Sequence, residues 1–125
     1  MANNKSVKKM TATASFVQAT DASSGTGAKT IADTMSIPIG ATVTACITVP
    51  SVSSNSSSNG ETGTITVGGV SVSAALNQAA MAAGNVNNDT LGAVTTTNAN
   101  IGITVGGEAF TAGSMDIIIE YYLLD

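Results

Sequence analysis

The chain has no histidine, no arginine and no tryptophan, and a single cysteine, Cys46. Without histidine there is no imidazole base for a nucleophilic triad and no imidazole metal ligand. Without arginine there is no bidentate clamp for phosphate. One cysteine permits neither an intramolecular disulfide nor a structural zinc site. Set in Ala45-Cys46-Ile47, it reads as a small buried hydrophobe rather than a reactive thiol. Charge is scarce too, at 10% of residues. Part of the surface is therefore expected either to be covered by partner chains or to consist of uncharged Ser, Thr and Asn. No apolar run is long enough for a membrane helix. Lysines open the chain, but the segment 11–24 after them is polar and broken by Gln18 and Asp21. A signal peptide needs a continuous apolar stretch there.

What remains is a chain of 125 residues, 43% hydrophobic, in which Ala, Val and Ile dominate and the aromatics are Phe16, Phe110, Tyr121 and Tyr122. That length fits one domain able to bury roughly two thirds of its unfolded surface. Small and β-branched residues between Gly, Ser and Asn suit pleated sheets with tight turns. The lysines are Lys5, Lys8, Lys9 and Lys29, so residues 11–125 carry one lysine against eight acids. An acidic body of this kind disfavours nucleic acid. Residues 1–12 read as an extended N-terminal arm whose basic tip either touches an acidic partner or is solvated. Residues 13–125 form the domain.

Apolar alternation then marks strands. Residues 13–20, 28–37 and 42–49 are candidates, with a turn at Ile37–Ala41 and a stop at Pro50. The Ser- and Asn-rich segment 51–62 reads as a flexible loop. Residues 63–67 and 70–74 flank Gly68-Gly69, which is either a two-residue hairpin turn or a bulge in one strand. Residues 75–83, rich in Ala and Met and followed by Gly84, are the one candidate helix. Residues 93–97 and 100–106 are further strands. Residues 114–123 are the strongest, with Met115, Ile117, Ile119 and Tyr121 on a core face and Asp116, Ile118, Glu120 and Tyr122 on the other. Short strands separated by turns imply an all-β sandwich or barrel.

Motifs with chemical potential fall short on inspection. Ser24–Thr30 has the glycines and lysine of a phosphate loop, but Ala28 stands where glycine must precede the lysine. Asp116 and Glu120 share a strand face about 13 Å apart, beyond the roughly 5–9.5 Å of glycosidase carboxylate pairs. Asn85, Asn87, Asn88 and Asp89 offer calcium one carboxylate and lack the ligand order of an EF-hand loop. No catalytic residue, cofactor, metal or small-molecule substrate is expected; the chain reads as a structural or binding protein, not an enzyme.

Four segments in order carry a resemblance. They are Ile37-Pro38-Ile39-Gly40-Ala41-Thr42-Val43, Thr64-Ile65-Thr66-Val67-Gly68-Gly69, Ile101-Gly102-Ile103-Thr104-Val105-Gly106-Gly107, and the run from Thr111-Ala112-Gly113 through Ile117-Ile118-Ile119 to Glu120-Tyr121. Over roughly residues 28–123 the chain resembles small virion proteins of tailed bacteriophages, the capsid cement or decoration proteins. The resemblance implies a single jelly-roll-like β-sandwich, often a homotrimer, bound outside the capsid at junctions between major capsid subunits. Such a protein is made in the host cytoplasm and ends in the virion. Lys5, Lys8 and Lys9 are then the candidate capsid-contacting residues, with the major capsid protein as partner and neither nucleic acid nor membrane involved. A tail-fibre or receptor-binding module is the alternative, with the 51–62 loop presenting hydrogen-bonding groups to a host surface glycan.

Overall fold

The structure is a computed structural model that describes residues 7–124. In chain order the elements are β1 (Val7–Val17), α1 (Gln18–Asp21), β2 (Gly27–Thr30), β3 (Asp33–Thr34), β4 (Ser36–Ile37), β5 (Thr42–Asn55), β6 (Thr62–Val67), β7 (Val70–Ser71), β8 (Asn87–Asp89), β9 (Ala93–Val94), β10 (Ala99–Gly106) and β11 (Ala112–Leu124). One sheet runs β3-β1-β11-β5-β8 with β9 also on β5; the other runs β2-β10-β6-β7 with β4 also on β10. Every pairing is antiparallel.

The pairs are nested: β1 with β11, β2 and β4 with β10, β5 with β8 and β9, β6 with β7. A ribbon that is paired end to end and then wrapped so that successive segments fall in alternate sheets is a jelly roll. The all-β sandwich expected from the sequence is thus the fold.

The core lies between the sheets. Phe16, Ile31, Ile37, Ile65, Ile101, Ile103, Ile117 and Ile119 are each at most 1% exposed. Burying one such side chain stabilises by about 1.5–3 kcal/mol. Phe16 and Phe110 meet edge to face, 5.8 Å apart at 81°, which adds about 0.5–1.5 kcal/mol. In β11 the buried residues are Met115, Ile117, Ile119 and Tyr121, the face the alternation assigned to the core.

Gly68 and Gly69 have φ of +58° and +83°, and Val67 pairs with Val70. That is the two-residue hairpin, since both central positions need the left-handed region.

Three expectations are corrected. Residues 75–83 are not a helix: Met81 N–H donates to Asn77 C=O, but the Met81 carbonyl accepts from Ser54 N–H and Gly84 N–H donates to Pro50 C=O. The segment spends its backbone groups on β5, so the turn does not propagate despite good helix formers; the short helix is α1 instead. Pro50 does not stop β5. It pairs with Met115 beside a register shift that leaves Ser51 as the extra residue, and a bulge is where a sheet tolerates proline. Residues 51–55 accordingly belong to β5 rather than to a loop.

The arm expected over 1–12 divides. Residues 1–6 lie outside the described residues. Val7–Ala12 pair with Ile119–Leu124 as the first half of β1, because the long β11 needs partners for its backbone groups.

Candidate interaction surface

The two sheets turn different faces to solvent. On the β10 sheet the outward rows are Ala28–Thr104–Thr64 and Thr30–Gly102–Thr66, small residues of which four are threonine. On the β11 sheet Ile118 lies directly opposite Ile47, and both are half-buried. Val17, Val52 and Tyr122, also on strands of this sheet, are 41%, 53% and 39% exposed. This apolar face has a specific origin. Tyr121 pairs with Val43 but Glu120 with Ala45, so a bulge at Thr44 switches the inward parity of β5. Cys46, Thr48 and Pro50 then point into the core, and Ile47 and Val49 point out. Burial pushes the Cys46 thiol up to about 12, with a smaller contribution from Asp89.

Lys8 and Lys9 sit on β1, exposed, where the β1–β11 ribbon runs past the core. Lys9 Nζ is 3.8 Å from Glu120 Oε1, a pair between an exposed lysine and a half-buried glutamate worth about 1 kcal/mol. Lys5 lies outside the described residues. β3 covers only Ala14 and Ser15 of β1, so among the described residues Val7–Ala12 form an open sheet edge. Charged lysines on such an edge discourage unwanted strand pairing and also offer a basic contact.

The other motifs resolve plainly. Lys29 Nζ donates to Ser24 C=O at 2.7 Å, and β2 rather than a helix follows the glycines, so Ser24–Thr30 is no phosphate loop. Asn85 and Asn87 direct their amides at the carbonyls of Ala79 and Ala80, so they do not gather oxygens for a cation. Among the described residues no three acids or thiols cluster as metal ligands.

Sequence reasoning missed the most polar cluster. It lies where β5 crosses to β6 and β10 crosses to β11. Glu61 is 1% exposed and accepts from Ser54 Oγ at 2.8 Å and Ser56 Oγ at 2.7 Å. Glu108 Oε1 accepts from Ser58 N–H at 3.0 Å, Gly60 N–H at 2.8 Å and Ser56 Oγ at 2.7 Å. Ser56 and these backbone donors hold the Glu108 carboxyl down at about 2. Burial pushes Glu61 up, but hydrogen bonds from Ser56, Ser54, its own backbone and Gln78 take it below its ordinary value when Ser56 donates to it. Beside the cluster is an open cleft of about 580 Å³ lined by Ser53, Asn55, Asn59 and Gln78 together with Ala79, Ala82 and Ala112. Gln78 Nε2 donates to both Asn55 Oδ1 and Asn59 Oδ1 at 3.2 Å. A run of serines ending at Glu61 hinted at a buried carboxylate; nothing local linked it to Glu108.

No protein-family model matches the chain, and no curated protein does. Solved structures share its fold, two of them from phage capsids. A chain of the acidic stable capsid structure of Helicobacter pylori bacteriophage KHP30 superposes with a TM-score of 0.64 at 13% identity, over 98% of this chain and 97% of that one. A chain of the capsid asymmetric unit of cyanophage Pam1 gives 0.58 at 21% identity, over 98% and 89%.

Proposed function

We propose that the chain is a structural component of a phage particle, and within it a cement or decoration protein. It binds the outer surface of the shell at junctions between major capsid subunits and braces them, as a homotrimer. The observation that carries this reading is the KHP30 likeness, which spans 98% of this chain and 97% of the other. The likeness therefore extends over both sheets of the sandwich and not over a part of it.

The surface is compatible. A bracing protein needs a rigid body and a face to set against the lattice, and the Ile47–Ile118 side supplies apolar area that the threonine-rich side lacks. Copies joined as a trimer over a symmetric lattice point gain avidity without new kinds of contact. In this reading Lys5, Lys8 and Lys9 reach an acidic patch on the major capsid protein.

Quantitative mass spectrometry of separated heads and tails tests the assignment. Many copies in the head fraction, in a fixed ratio to the major capsid protein, are expected. A few copies confined to tails would overturn it in favour of a host-recognition module.

A further inference from the structure

Ser56 Oγ lies 2.7 Å from Glu61 Oε1 and 2.7 Å from Glu108 Oε1. A serine hydroxyl has one proton to give and two lone pairs to fill. Gly60 N–H fills one lone pair, at 3.1 Å. The hydroxyl proton serves one carboxylate. At the other contact two lone pairs meet unless a second proton lies between them. With both carboxyls ionised, the arrangement is one proton short.

Among the described residues no cationic side chain makes up the difference. Lys9 pairs with Glu120, and Lys29 donates to Ser24. Lys8 stands opposite Leu123, at the far end of the ribbon. The groups facing the two carboxyls are Ser54 and Ser56 on and just beyond β5, Ser57, Ser58 and Gly60 in the turn, and Gln78 from the segment after β7. None of these is charged.

We propose that Glu61, Ser56 and Glu108 hold one proton in common, and that this proton latches the β5–β6 crossover onto the β10–β11 crossover. Glu61 carries it and donates to Ser56 Oγ; Ser56 donates its own proton to Glu108 Oε1. The division follows from the fixed donors. Glu108 keeps the backbone N–H groups of Ser58 and Gly60, which cannot rotate away. Glu61 is 1% exposed, and burial favours its neutral form. Ser54 Oγ and Gln78 still donate to Glu61, but the Ser56 hydroxyl, the first of the donors that would stabilise its charge, is committed to Glu108.

The sign of the pH response follows. Loss of the shared proton as pH rises sets two like charges across Ser56 and loosens the crossovers. Protonation of Glu108 near 2 removes the acceptor at the other extreme. Between these limits the latch is closed.

The chain has three glutamates, Glu61, Glu108 and Glu120, so a carboxyl-carbon NMR titration of glutamate-labelled protein is tractable, with signals assigned through Glu61→Gln and Glu108→Gln. Glu61 is expected to remain protonated through neutral pH in the unmodified chain. In Glu108→Gln, Ser56 is free to serve Glu61, whose proton affinity is expected to fall about tenfold or more, as for a strongly coupled pair. A Glu61 already ionised at neutral pH in the unmodified chain overturns the latch, whether a cation or a rearranged turn is the cause. So does a Glu61 titration that Glu108→Gln leaves unmoved.

Discussion

A Cβ at Gly107 would collide with the carbonyl oxygen of Gly60, and φ there is +71°. Gly69 also has a positive φ, +83°, but a Cβ there meets nothing within 4 Å. The two glycines therefore separate collision from backbone strain. Gly69→Ala is expected to cost about 1 kcal/mol, and Gly107→Ala about 2–3 kcal/mol, read as the difference in urea midpoints. Equal costs would mean that the Gly60–Gly107 approach is unimportant. Glu108 supplies a pH prediction. Its folded value, about 2, lies below the ordinary 4.5, so the unfolded chain binds the proton more tightly. Its contribution is fully present above the ordinary value and is lost as pH falls toward 2. Glu108→Gln should flatten the thermal-stability profile across that acid range, and an unchanged profile would contradict the hydrogen-bond nest.

Among the elements, β11 tests the alternation most cleanly. Ile117 is fully buried, and its neighbour Ile118 is half-buried on the outer face. Ile117→Ala is expected to cost about 2–5 kcal/mol. Ile118→Ala should cost under about 1 kcal/mol by denaturant unfolding, as for a surface change. This face assignment was legible in the sequence because Ser114–Leu123 alternates over enough residues to fix parity. The same reasoning was blind in β5. Strict alternation would have set Ile47 and Val49 inward; the bulge at Thr44 turns them out, and no local signal marks it. Pro50 misled for a related reason, since a proline beside a bulge does not break a strand. The helix expected over 75–83 rested on propensity, which lost to tertiary hydrogen bonds from Ser54 and to Pro50. Long-range pairing was least visible of all. The nested strand pairs and the Glu61–Ser56–Glu108 cluster depend on which distant segments meet, and composition carries no record of that.

For the whole molecule, the proposed cement role gives the unequal faces and the lysines of β1 a testable part in docking. Replacing Lys8 and Lys9 together by Glu should weaken binding to shells. It should change unfolding free energy far less than Ile117→Ala does, because both lysine side chains are exposed. Unchanged binding would remove the lysines from the contact and leave the Ile47–Ile118 face to carry it. The bracing role itself is decided by heating. Shells depleted of this protein and shells to which it has been restored should be heated in parallel, with release of packaged DNA as the signal. Restored shells are expected to hold their DNA to a distinctly higher temperature. Release at the same temperature, with the protein demonstrably bound, would contradict a cement function.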